Sequence, residues 1–255
     1  MLLAIDIGNT NINSGIFEGE KLRATWRIAT RASQTADEYA VLLLNLLRLQ
    51  GLDISDVKEV AVSSVVPPLR GTFTGLFQRY FHISPLMVEP GVKTGVRIRM
   101  DNPREVGSDR IANAAAAHRL YSKPVIVVAL GTATAFDTVS KEGDYLGGAI
   151  APGIGIAAEA LYTRTAALPR VELIRPKRAI GTNTIAAMQS GLIFGYAGLI
   201  EGVVSRIQQE LGETATVVAT GGYSELIARE TPVINIVNPD LTLIGLRLIY
   251  QMNKT

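Results

Sequence analysis

Apolar runs broken by small-residue turns dominate the chain. "MLLAIDIG", "NINSGIFEG" and "KLRATWRIA" predict three strands joined by glycine-centred turns, a β-meander. "TADEYAVLLLNLLRLQ" changes to helical spacing behind a Thr35–Glu38 capping box. "EVAVSSVV" predicts a strand stopped at Pro67-Pro68, "LRGTFTGLFQRYF" a helix, and "PLMVE" a further strand. The polar stretch "PGVKTGVRIRMDNPREVGSDR" reads as irregular and leads into the Ala-rich helix "RIANAAAAHRLY".

The pattern then restarts. "PVIVVALG", "TATAFDTVS" and "YLGGAIAPG" predict a second meander, followed by helices at "GIGIAAEALYTRTAAL" and Thr184 to Leu211. "TATVVAT" and "VINIVNP" predict strands, with "GGYSELIARE" between them and "LTLIGLRLIYQM" closing the chain. The expected architecture is α/β: two copies of one unit, residues 1–121 and 122–255, divided near Ser122. A cleft between two such halves is a preferred ligand position.

Composition narrows the chemistry. With 47% hydrophobic residues in 255, the chain can bury a large core. A net charge of +2 gives no electrostatic footprint for nucleic acid or an anionic membrane. No cysteine is present, so disulfides, thiolate metal sites and thiol nucleophiles are excluded; only two histidines, His82 and His118, exclude a multi-histidine centre. The N-terminus lacks the basic start of a signal peptide, and the apolar run Ile185 to Ile200 falls short of the roughly 20 residues of a membrane span, so it reads as a buried helix.

The candidate chemistry sits at the turns. In "DIGNTN", Asp6 ends a strand where it can hold magnesium, and Gly8, Asn9 and Thr10 can offer donors to a polyphosphate; an ordinary capped hairpin has the same composition. In "GTATAFD", Gly131, Thr132 and Thr134 suit phosphate contact, yet Ala129 stands where the first copy has Asp6, and Asp137 starts too far along the next strand to replace it. "NPREVGSDR" places Asp109 and Arg110 at a helix start, a natural anion position where Asp109 can take a hydroxyl proton and Arg110 can hold an anion; a solvated helix cap is the plainer alternative. "GGAIAPG", "GTNT" and "ATGGY" are further glycine-rich connections. Gly191, Gly195, Gly198 and Gly202 line one helix and suggest a homodimer seam, or close packing within the chain.

Together these motifs resemble the type III pantothenate kinase family, of the acetate and sugar kinase, Hsp70 and actin superfamily. The resemblance rests on the ordered set "DIGNT" at 6–10, "SSVVP" at 63–67, "DNPREVGSDR" at 101–110, "GTATAFD" at 131–137, "GGAIAPG" at 147–153, "LPR" at 168–170, "GTNT" at 181–184, "QSG" at 189–191 and "TGG" at 220–222. It implies two ribonuclease H-like (actin-like ATPase) domains with a central cleft, each a mixed five-stranded sheet with helices. It implies ATP-dependent phosphorylation of pantothenate to 4′-phosphopantothenate, the first step towards coenzyme A, in a cytoplasmic homodimer with no nucleic-acid or membrane partner. Magnesium and a monovalent cation, K+ or NH4+, are implied as cofactors. By the resemblance, Asp6, Ile7, Gly8, Asn9, Thr10, Asn11, Ile12, Asn13 and Thr132 bind ATP, with Asp6 near magnesium. Met100, Gly107, Ser108, Asp109, Arg110 and Thr184 bind pantothenate, with Asp109 as the base. Family members often have an aromatic residue in place of Met100, Thr in place of Ala135, and an acid for the monovalent cation in place of Ala129, so cation binding and ATP use are expected to be weakened. A non-catalytic pantothenate-kinase-like regulator or binding protein is the alternative that the missing acid raises.

Overall fold

The structure, a computed structural model, describes residues 1–254 other than Ser122, so the predicted boundary at Ser122 lies outside the described residues. Strands β1 (Leu2–Ile7), β2 (Asn11–Glu18) and β3 (Lys21–Ala29) come first, then helix α1 (Ala36–Leu49), β4 (Glu59–Ser64), α2 (Pro67–Leu76), β5 (Leu86–Met87) and β6 (Arg97–Ile98). Next come α3 (Ser108–Leu120), β7 (Val125–Leu130), β8 (Ala133–Val139), β9 (Asp144–Pro152), α4 (Ile154–Thr163) and α5 (Thr184–Leu211). The chain ends with β10 (Thr216–Thr220), α6 (Ser224–Ala228), β11 (Ile236–Val237) and α7 (Leu241–Asn253).

Two compact units result: residues 1–96, 102–116 and 241–255, and residues 97–101 and 117–240. They differ from a simple division after residue 121, because α7 returns to the first unit. The first sheet runs β3-β2-β1-β4-β5, and the second β11-β10-β7-β8-β9-β6. In each, an antiparallel meander is followed by a parallel strand beside its first member. The repeat expected from the two turn sequences is thus present in the topology. The second sheet has six strands instead of five, since Arg97 and Ile98, in the stretch read as irregular, pair in parallel with Asp144 and Tyr145. Arg97 Nε donates to Asp144 Oδ1 at 2.6 Å and anchors that added strand.

The first sheet is covered on both faces, which is why "LLAIDI" is wholly buried. Leu3, Ile5 and Ile7 pack with Tyr39, Leu43 and Leu47 of α1 and Leu69, Phe73 and Leu76 of α2. Leu2 and Ala4 pack with Ala112 and Ala115 of α3 and Leu243, Leu246 and Ile249 of α7. This second face is built from small residues, and helices approach it closely. At Gly245 of α7 a Cβ would lie 1.9 Å from the carbonyl oxygen of Ala112. The Thr35–Glu38 capping box forms as expected. Pro67 and Pro68, read as a stop, open α2, whose missing N–H groups would lack partners there anyway. The segment Phe77–Phe81 continues α2 as a π-helical turn and closes on His82 in the left-handed region.

The second unit buries Ile126, Val128, Leu130 and Phe136 against Leu192, Ile193, Tyr196, Ile200 and Val204 of α5. Helix α5 spans Thr184–Leu211 as expected; with 28 residues it is long and apolar enough to cross a membrane by length and composition, beyond the apolar run Ile185 to Ile200. Its buried face is what makes it a core helix. Helix α4 stops at Thr163 and α6 is only 5 residues, both shorter than the patterns suggested.

Candidate active site

Asp6 occupies the last pleat of β1 that faces α3 and α7. Its Cα pairs with Asn13 on β2 and with Ser63 on β4, so all three side chains share one face. Ser63, fully buried, donates its hydroxyl to Asp6 Oδ1 at 2.7 Å. The turn after β1 is tied down by its own backbone: Gly8 N–H donates to Asn11 O, Thr30 Oγ1 to Gly8 O at 2.7 Å, and Thr30 N–H to Thr10 O. Asn9 and Thr10 are exposed at its tip. Ile7 and Ile12 are fully buried in the core, so of these two only the main chain can meet a nucleotide.

Asp109 stands in the first turn of α3, in the same unit. Ser108 locks that helix start to the end of β4: Ser64 N–H donates to Ser108 Oγ at 2.9 Å, and Ser108 Oγ donates to Ser64 O at 3.3 Å. The geometry thus brings Asp6, Asp109 and the 8–11 turn into one unit, around the C-terminal ends of β1 and β4. Asp109 Oδ1 is buried without a hydrogen-bond partner among the described residues. Burial, followed by the charge of Asp109, pushes the Asp6 carboxyl up to about 7, against hydrogen bonds from Ser63 and Asn13. Burial also raises Asp109, opposed by the backbone N–H groups of Arg110 and Asp109 and by the Arg110 charge. Burial raises both acids and the charge of Asp109 raises Asp6 further, a perturbation that makes this pair the candidate site.

Gly107 is required by this arrangement. A Cβ there would lie 2.5 Å from Asp109 Oδ1 and 3.3 Å from Val65 Cγ1. Gly107→Ala is therefore expected to displace the Asp109 carboxylate and lower kcat by about 10²-fold, the cost of an ångström-scale misplacement. Its melting temperature should change little; the two are read by steady-state kinetics and thermal unfolding.

The remaining expected residues lie in the second unit. Thr132 is exposed at the tip of the β7–β8 hairpin, and Gly153 N–H donates to its carbonyl at 3.1 Å. Any side chain at Gly153 would strike the carbonyls of Thr132 and Gly131, at 2.3 and 2.4 Å. Gly221, with φ +93°, presses on Leu130, and Tyr223 lies against Gly155 at the start of α4. Ala129 pairs with Ala135 and Thr220, and no carboxylate is among these partners. Asp137 is fully buried one pleat back, where it accepts from the Tyr145 hydroxyl at 2.6 Å. Met100 touches Gly147, whose φ is +109°. Thr184 is exposed at the start of α5, after the Asn183 cap.

Sequence reasoning missed Ser63, Thr30 and Arg27 as members of the site. The visible signal was a pair of serines ending an otherwise apolar strand, "VAVSS".

Two mixed α/β sheets, each a meander with a parallel strand beside its first member, give this chain the fold of the actin-like ATPase and sugar kinase class. An Arthrobacter polyphosphate/ATP-glucomannokinase superimposes with TM-score 0.54 at 16% identity, covering 99% of this chain and 98% of that one. A Campylobacter jejuni protein of the Baf family gives TM-score 0.60 at 20% identity, with 98% of each chain covered. The sequence model of the type III pantothenate kinase family matches residues 2–206. Type III pantothenate kinases of Dehalococcoides mccartyi strain CBDB1 and Roseiflexus castenholzii are each 57% identical, over 99% and 100% of this chain and 96% and 100% of their own lengths. The chain belongs to the type III pantothenate kinase family, and it is a pantothenate kinase of coenzyme A biosynthesis.

Proposed function

We propose that the chain transfers the γ-phosphoryl group of ATP to the primary hydroxyl of pantothenate at the Asp6–Asp109 pair, giving 4′-phosphopantothenate and ADP. The observation that carries this reading is the unpartnered, buried Asp109 oxygen in the unit that also holds Asp6 and the 8–11 turn. Asp109 Oδ1 accepts the proton of the hydroxyl as its oxygen bonds to phosphorus and the bond to ADP breaks. A carboxylate whose proton affinity is raised by burial suits that role. Asp6 fits a divalent cation, because magnesium is commonly held by one or two carboxylates plus substrate phosphates; when bound it would supply charge neutralisation. Within the first unit, the main chain of residues 6–13 would hold the phosphates, and Gly107, Ser108 and Arg110 the pantothenate; for Thr132, Met100 and Thr184 the support is the family resemblance alone. The N-terminus of α3 favours its anionic end.

A monovalent cation fits less well. Ala129, Ala135 and Thr220 supply no charged ligand, and so potassium is expected to act weakly. In an assay coupling ADP release to pantothenate, turnover should persist without potassium and rise little when it is added. No turnover at saturating ATP with magnesium, with or without potassium, would overturn the proposed catalysis and favour a regulator. A homodimer is supported by the open row of Gly191, Gly195 and Gly198 on α5, where an added Cβ meets nothing within 4 Å. Exposed Ile180 and Ile185 sit before and within the start of that helix. A cytoplasmic location fits this biosynthetic role.

A further inference from the structure

Four register-paired residues form a polar row across the first sheet. Arg27 on β3 pairs with Asn13 on β2, Asn13 with Asp6 on β1, and Asp6 with Ser63 on β4. Arg27 Nε donates to Asn13 Oδ1 at 3.1 Å, the Asn13 side chain hydrogen-bonds Asp6, and Ser63 Oγ donates to Asp6 Oδ1 at 2.7 Å. We infer that Arg27 and Ser63 are positioning residues that fix the Asp6 carboxylate in one orientation, Arg27 acting through the side-chain amide of Asn13.

The chemistry of an amide makes Arg27 decisive. Asn13 has one accepting end and one donating end, and either could face β1. A guanidinium has donors only and does not lose its proton. By donating to Oδ1 it turns that oxygen towards β3 and leaves the NH2 group facing Asp6. Flipped, the amide oxygen would oppose the carboxylate and repel it. Ser63 then holds the acid from the other side with a fully buried hydroxyl. The acid is thus gripped by donors from both neighbouring strands, so its free lone pairs have one direction.

The second unit shows what the row looks like without an acid to hold. The matching positions are Ile150, Ala135, Ala129 and Thr220, an aliphatic row with one hydroxyl. Acid and donors are present together in one unit and reduced together in the other, as expected if the donors serve the acid.

The kinetic consequence rests on the proposed use of Asp6; the orientation of Asn13 does not. Arg27→Met keeps the side-chain stem and removes the donor at an exposed position. In 1H–15N spectra, the Asn13 side-chain amide, assigned by its loss in Asn13→Ala, should shift and broaden in Arg27→Met. The KM for ATP with magnesium should rise by about 10- to 100-fold in Arg27→Met and in Ser63→Ala, as is typical when a metal-ligand partner is lost. The KM for pantothenate should stay unchanged, and Ser63→Thr, which keeps the hydroxyl, should restore the ATP value. In an Asn13→Ala background Arg27→Met should add nothing. An unmoved Asn13 amide signal in Arg27→Met, or a full Arg27 effect without Asn13, would overturn the inference. If the amide signal moves but the parent protein phosphorylates no pantothenate, the positioning role stands and the proposed reaction falls.

Discussion

Asp109→Asn is expected to lower kcat by about 10²- to 10⁴-fold, the usual contribution of a positioned base, and yet to raise the melting temperature at pH 8. Both effects come from one fact, a buried carboxylate raised in proton affinity by its surroundings. Asp6 is pushed to about 7 by burial and by the charge of Asp109. In the unfolded chain both acids titrate near 4. Between roughly pH 4 and 7 the folded state therefore binds more protons, so stability falls as pH rises through that window. Above pH 7 the free protein carries an ionised Asp6 in a buried site whose neighbour, Asp109, raises its proton affinity. The Asp109→Asn substitution removes a buried acid and relieves Asp6 of its charge, so the gain should be a few degrees at pH 8 and should shrink towards pH 4. Thermal unfolding across that range, without nucleotide or magnesium, checks the sign. A variant that loses activity and stability together would mean that Asp109 is a cap and not a base.

Gly245→Ala is expected to produce a large loss of stability. Its new Cβ would lie 1.9 Å from the Ala112 carbonyl oxygen and 2.5 Å from the carbonyl carbon. Both are backbone atoms of a helix, so no side-chain rotation relieves the clash. Helix α7 must move off α3 and open the packing of Leu243 and Leu246 against Ala112 and Ala115. Overpacking of this kind costs about 1–3 kcal/mol or more, which lowers the melting temperature of a chain this size by about 5–10 °C. Since α3 carries Asp109 in its first turn, kcat should fall as well. Gly71→Ala is the control: it sits in α2 with nothing within 4 Å, and the better helix propensity of alanine should leave stability equal or slightly higher. Chemical denaturation of the two variants beside the parent separates the outcomes.

Both effects depend on features that a linear reading reaches unequally. Asp6, its turn and the Asp109 helix start are local patterns, visible as an acid or a glycine where an apolar period ends. The repeat was legible for the same reason, since each meander is contiguous. Short strands were not: β6 consists of Arg97 and Ile98 and exists because Asp144 anchors it from a distant segment. The return of α7 to the first unit depends on the fit between Gly245 and Ala112, which are 133 positions apart (245 − 112) and share no pattern. Arg27 falls inside the predicted strand "KLRATWRIA" and Ser63 opens the motif "SSVVP", and neither received a role from the sequence. Their meaning lies in the register of four strands, which pattern alone does not specify.

The central claim is that this chain phosphorylates the primary hydroxyl of pantothenate. The most direct measurement is 31P nuclear magnetic resonance of a reaction containing the protein, ATP, magnesium and pantothenate, without added potassium. The account predicts a new phosphomonoester signal, split into a triplet by the two methylene protons beside it, growing in step with ADP and lost in Asp109→Asn. ATP consumed to free phosphate with no new ester, or ATP left intact, would contradict it.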